Sequence, residues 1–407
     1  MPAAAPQGAS VMALPVTLLI QIAATAAVMA PAVAAPRLLA TFGVGVSAVG
    51  AYIALVYFGA LVSSQWGATL VRRWGPIRVS QGALAVCAVG LLVFCASDLR
   101  IAIAGAVVLG LGYGTITPAS SDILARSAHP RHYALVFSAK QTGVPLGGAL
   151  AGLLVPVALE HWGSTWALAQ ISVLCLVSMV LAQPLRASLD AHRDPASVGP
   201  RLSQMTHAIR FVLANPATRL LAWCTLVFSG IQVAVTSYLV SFLNTTLGWS
   251  LVAAGAAMAA LQASGAVGRV AWGLAADRWL GDRKTLLVLG CTIGALSVGL
   301  SQASPTSSHA GVTLLLVVYG AAVIGCGGVL LAAFARQVPP GQAALATSGS
   351  LFFSYLGVMA GPLLFGSAGT RLGNLGWAFA LLALPSAVTV WLLWTARWSA
   401  PGDGSRP

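Results

Sequence analysis

The chain has 407 residues, of which 58% are hydrophobic and 7% charged, a balance that a water-soluble domain of this size cannot keep in solution. A formal charge of +13 would suit a nucleic-acid partner if the 21 basic residues were gathered on one soluble face. They lie instead between long apolar stretches, which excludes nucleic acid as the partner and makes the lipid bilayer the expected surroundings.

A bilayer core about 30 Å thick takes roughly 20 apolar residues per helical span. Twelve such stretches follow one another, at 11–35, 46–67, 79–97, 101–123, 134–159, 165–185, 217–243, 250–272, 285–303, 311–335, 344–369 and 375–396. The expected fold is therefore an all-α membrane protein with both termini on one side. If that side is cytoplasmic, sixteen of the 21 basic residues fall there, and only Arg37, Arg100 and Arg371 fall on the other face. This is the positive-inside bias, and it predicts an inner-membrane protein with cytoplasmic termini. No Lys or Arg precedes the first span, so a cleaved signal peptide is not expected.

In chain order, the first span carries Thr17, Gln21 and Thr25 at helical spacing. The turn after the second span reads Gly67-Ala-Thr-Leu-Val71-Arg72-Arg73-Trp74-Gly75-Pro76-Ile77-Arg78. Tyr113 and Thr117 form a polar stripe on the fourth span, and Lys140 lies inside the fifth, ahead of a glycine-rich segment from Gly143 to Gly152. The one long polar interval, Arg186–Pro216, divides the chain nearly in half. Within it Leu202, Met205, Ile209 and Val212 recur at helical spacing, which predicts a short amphipathic helix on the cytoplasmic surface. The expected domains are a first bundle over 1–187, a linker over 188–216 and a second bundle over 217–407.

The seventh span carries Ser229, Gln232 and Thr236. The eighth carries Gln262, Gly265 and Arg269 on one helix face, and the eleventh carries Tyr355 and the segment Gly357-Val-Met-Ala-Gly361-Pro362. Such stripes point inward in any helical bundle, where they serve either a substrate or interhelical hydrogen bonds. Ionisable groups inside a span are costly and are functional candidates by default. Lys140 and Arg269 are the basic ones, and no Asp or Glu lies near the middle of any predicted span, Asp122 and Glu160 falling at span ends. A cationic substrate would call for a buried carboxylate, so this distribution favours an anion. The six cysteines all fall in predicted spans without ligand-like spacing, so neither a metal nor a cofactor is expected.

A shift of 206 residues superposes Trp66-Gly67 on Trp272-Gly273, Arg72 on Arg278, Gly75 on Gly281 and Arg78 on Lys284, an internal repeat of six-helix units. The second copy, Gly273-Leu-Ala-Ala-Asp277-Arg278-Trp279-Leu280-Gly281-Asp282-Arg283-Lys284, has one extra residue before its second glycine. It resembles the G-x-x-x-D-R-x-G-R-K signature of the major facilitator superfamily, which the chain resembles over its whole length. In the first copy Val71 stands where the family has its acid. The resemblance implies two pseudo-symmetric six-helix bundles that transport a small molecule by alternating access, without enzymatic activity. It assigns Gly273, Asp277, Arg278, Gly281, Arg72, Gly75 and Arg336 to a motif that governs gating, with Asp277 pairing with Arg336.

Arg269, four residues before Gly273, is similar to the eighth-helix arginine of monocarboxylate transporters and the oxalate:formate antiporter, where it engages a substrate carboxylate. The acid that monocarboxylate transporters carry one turn earlier is replaced here by Gly265. The expected substrate is thus a small organic anion, met by Arg269, Lys140, Gln21, Gln232, Gln262, Tyr355 and Tyr113, with a coupling proton or a counter-anion as its companion. A monomer is expected. The partial glycine-proline motif of the fifth span resembles that of drug:proton antiporters and supports the alternative of an efflux pump for amphipathic compounds.

Overall fold

The computed structural model describes residues 7–96, 98–127, 136, 139–191, 193–194, 202–338 and 343–396, and every regular element among them is helical. Helical structure is what lipid demands, because no water is at hand to satisfy an open backbone. Among the described residues, ten apolar stretches are long enough to cross a membrane, and two of them, Ala139–Leu189 and Leu251–Ser301, run for 51 residues. A straight helix of that length would be about 77 Å long, more than twice the bilayer core. Each is divided at a glycine in the left-handed region, Gly163 (φ +82°) and Gly281 (φ +72°), so the ten stretches comprise twelve segments of membrane-crossing length among the described residues. At Gly163 the reversal is direct: Gln170 Nε2 donates to Leu154 O at 3.0 Å across the bend.

The chain forms two compact units. The first comprises residues 1–48, 52–200 and 249–259. It contains helices α1 (Gln7–Val33), α2 (Ala35–Phe42), α3 (Ala48–Trp74), α4 (Pro76–Phe94), α5 (Leu99–Ser127), α6 (Gly143–Ala182) and the short α7 (Arg186–Leu189). Small residues let its helices approach closely. Gly143 and Gly147 of α6 lie against Gln21, Ile22 and Thr25 of α1, while Gly59 of α3 and Gly110 and Gly114 of α5 bring those two helices backbone to backbone.

The second unit comprises residues 49–51, 201–248 and 260–407. Its helices are α8 (Leu202–Ala214), α9 (Pro216–Ser241), α10 (Leu251–Ala275, whose first residues cluster with the first unit), α11 (Gly281–Ser301), α12 (His309–Val323), α13 (Cys326–Arg336), α14 (Ala343–Leu372), α15 (Leu375–Leu381) and α16 (Ala383–Thr395). Asn215 opens α9 by accepting from Ala217 N at 2.9 Å ahead of Pro216, and Asn374 opens α15 by accepting from Gly376 N at 2.7 Å. Glycines again set the seams. Gly230, Gly357 and Gly361 join α9 to α14, and Gly268 and Gly320 join α10 to α12. The helix predicted over Leu202–Leu213 is present as α8. Its Ala208 and Val212 are buried, and both lie against Gly349 at the start of α14. Within the polar interval predicted as one linker, Asp190 and Asp194 are hydrogen-bonded to the first unit and α8 belongs to the second.

Candidate functional site

In the first unit the polar stripe of α1 is fully buried. Gln21 donates from Nε2 to Thr25 Oγ1 at 3.1 Å, and its Oε1 is buried without a hydrogen-bond partner. Lys140, 2% exposed, stands one turn ahead of Gly143, and a Cβ at Gly143 would lie 2.9 Å from the Cβ of Gln21. Lys140 thus stands one turn ahead of the glycine that packs on Gln21 at the α1–α6 seam. Tyr113 of α5 is half-buried and meets Tyr57 of α3 edge to face, with ring centroids 5.9 Å apart.

In the second unit Arg269 of α10 is half-buried, and its guanidinium lies beside Gly327, 4.0 Å from where a Cβ would stand. That glycine belongs to Gly325-Cys326-Gly327-Gly328, where α12 gives way to α13. A helix break lined by glycine thus places a cation next to backbone that carries no side chains. Gln262, 4% exposed, lies two turns earlier on the same helix. Gly265, between them, has Ile324 2.6 Å from its Cβ position. A side chain at that position would collide with Ile324. Gln232 is half-buried on α9, one turn from Ser229, whose hydroxyl bonds that of Ser354 at 3.0 Å, next to Tyr355 on α14.

The second motif copy forms an ionic cluster. Arg336, at the end of α13, donates from Nη1 to Asp277 Oδ1 at 2.8 Å, the pairing expected from sequence. It also holds Asp282 with two bonds, Nε to Oδ2 at 2.9 Å and Nη2 to Oδ1 at 2.5 Å. The backbone widens into one π-turn over Ala276–Leu280, and Asp277 within the turn and Asp282 just beyond it reach the same guanidinium. Both carboxylates raise the pKa of Arg336, the hydrogen bonds that Asp282 accepts most of all. Arg283 donates to Leu393 O at 2.9 Å and to Trp394 O at 2.7 Å, closing the last carbonyls of α16.

The first copy is built differently. Val71 is buried in an apolar cluster with Val79 and Ala119, a place that would not hold a charge. The carboxylate of this turn comes from Asp190, beyond α7. Asp190 accepts from Ile77 N at 2.8 Å and from Arg78 N at 3.2 Å, capping the first turn of α4, and its Oδ2 lies 3.9 Å from Arg78 Nε. Burial pushes its pKa up, against the pull of the Ile77 N–H and the Arg186 charge. Gly75 (φ +94°) packs directly onto this carboxyl. Asp190, Asp282 and Arg283 were not singled out from the sequence. The quoted motif contains Asp282 and Arg283, whereas no local signal marks Asp190.

The sequence profile of the Major Facilitator Superfamily matches residues 17–362. No curated protein matches the chain by sequence. Among solved structures, a bacterial homolog of the human lysosomal transporter Spinster, inward-facing and unoccupied, is 18% identical with a TM-score of 0.69, over 95% of each chain. The nucleoside transporter NupG is 13% identical with a TM-score of 0.78, over 94% of this chain and 98% of its own.

Proposed function

The chain belongs to the Major Facilitator Superfamily, and from that premise we propose that it is a secondary transporter of a small organic anion, a carboxylate in the first instance, working by alternating access. It is a multi-pass membrane transporter and not an enzyme. At 13–18% identity the solved neighbours carry the fold, and the substrate has to be argued from this chain's own residues.

The observation that carries the reading is the burial of positive charge in both units: Lys140 in the first is 2% exposed, and Arg269, well inside the span Leu251–Ser301 of the second, is half-buried. Amide and hydroxyl groups accompany them, Gln21 and Tyr113 in the first unit and Gln232, Gln262 and Tyr355 in the second. A guanidinium offers five donors in a planar fork suited to a carboxylate, and an ammonium adds a point charge. The reading assigns the substrate's negative charge to Arg269 and Lys140, and gating to the motif residues Asp277, Arg278 and Arg336 with their first-copy counterparts Arg72 and Gly75. The distribution of basic residues supports an inner-membrane setting with both termini cytoplasmic.

The test is thermal stabilisation of the purified protein by a panel of mono- and dicarboxylates, in wild type and in Arg269→Ala. A carboxylate that stabilises wild type and leaves the variant unmoved is the expected result. Stabilisation by hydrophobic drugs alone, unaffected by the substitution, would replace the anion reading with efflux of amphipathic compounds and return Arg269 to packing beside the α12–α13 break.

A further inference from the structure

A second basic site lies entirely within the first unit, away from Lys140. A cavity of about 400 Å³ is lined by Arg78, Gln183, Arg186, Ala187, Asp190 and Arg193, a volume in the range of small-ligand pockets. Three guanidiniums and one carboxylate leave a net charge of +2 in the lining. The carboxylate is already engaged, because Asp190 accepts from the Ile77 and Arg78 N–H groups. Arg78 Nε is buried and has no hydrogen-bond partner, its nearest acid oxygen being 3.9 Å away. Gln183 Oε1 is occupied by Gln81 Nε2 at 2.7 Å, so Gln183 has donors left to offer. The loop that brings Arg193 is tied down where Asp194 N donates to Arg72 O at 2.7 Å.

The cavity also sits at a defined level. One of its walls is the first turn of the span Pro76–Phe94, and the other is the last turn of the span Ala139–Leu189. Directly along α6 from the cavity, Leu181, Val180 and Val177 are 56%, 64% and 47% exposed, an apolar track that leads into the bilayer.

We propose that this cavity binds a phosphate group, held by Arg78, Arg186 and Arg193. Arginine forks match phosphate oxygens as they match carboxylates, and a dianionic or diester phosphate would meet the guanidinium donors that Asp190 leaves unmet. Two sources offer this chemistry, the headgroup of an anionic phospholipid and free phosphate. The apolar track along α6 suits the acyl chains of the first.

The experiment uses the full chain, purified in detergent and stripped of lipid. Binding of phosphatidylglycerol, phosphatidylcholine and inorganic phosphate is measured by native mass spectrometry and thermal shift, in wild type, Arg186→Gln/Arg193→Gln and Arg186→Lys/Arg193→Lys. Charge-assisted hydrogen bonds predict that the glutamine pair weakens binding about tenfold per arginine, with the lysine pair falling in between. Selective, arginine-dependent binding of phosphatidylglycerol identifies a lipid headgroup, and arginine-dependent binding of inorganic phosphate identifies the free anion. Equal binding of both by wild type and the glutamine pair, or binding of phosphatidylcholine as tight as that of phosphatidylglycerol, overturns the proposal. Arg219→Gln, outside the cavity, controls for loss of surface charge and is expected to bind like wild type.

Discussion

A methyl group at residue 75 would overlap the Asp190 carboxyl, and the backbone there (φ +94°) already lies where only glycine is comfortable. Gly75→Ala is therefore expected to cost about 2 kcal/mol or more, the sum of left-handed strain and a displaced helix cap. A clear fall in the unfolding temperature of the purified protein is the check, with Gly82→Ala as the reference, since nothing lies within 4 Å of a Cβ at Gly82. Residue 265 makes the same point inside the membrane. There the absence of a side chain makes room for Ile324, and Gly265→Asp is expected to be poorly tolerated. Which glycines were essential could not be read from spacing alone, because the reason in each case is a partner distant in sequence.

At the scale of elements, the two halves close the equivalent turn with opposite chemistry. In the first unit an acid from beyond α7 caps the start of α4, whereas in the second a cation from the start of α11, Arg283, takes the last carbonyls of α16. The Arg336 cluster is partly exposed, so its carboxylates contribute modestly, within about 1 kcal/mol each. Asp282 takes two of the three bonds from Arg336 and is 10% exposed against 56% for Asp277. Asp282→Asn is accordingly expected to lower thermal stability more than Asp277→Asn, an order that side-by-side melting curves would reveal. Packing seams should be less forgiving. A Cβ at Gly357 runs into the Leu226 carbonyl, and Gly357→Ala is expected to cost roughly 1–3 kcal/mol by overpacking α9 against α14.

Across the whole molecule, the helical crossings were legible in the sequence because lipid admits so few structures: an apolar run of the right length has to be a helix. The Asp277–Arg336 pair was legible too, both residues standing at span ends in a motif with its own spacing. Asp190 was not, since its contact with Ile77 joins residues 113 apart and the polar interval holds other charges of equal promise. At the candidate site, the sequence singled out Lys140 and Arg269 through the cost of charge in a span, but their settings, the α1–α6 seam and the α12–α13 break, needed the packed helices. Lys140→Met is expected to weaken uptake of the anion in proteoliposomes, and the pH profile of the remaining transport distinguishes proton coupling from anion exchange. Transport with a flat pH profile would leave anion exchange as the mode.

The cap on α4 also bears on how the protein is made. The start of α4 leaves the ribosome long before Asp190 does, so that end of the helix stays open while α5 and α6 are inserted, and closes only when the chain has passed the last helix of the first half. The polar segment after α7 thereby acts as a clasp on a half already threaded through the bilayer. A fragment ending at residue 189 is expected to insert yet remain protease-sensitive near residue 76, and one extended to residue 194 to become resistant there.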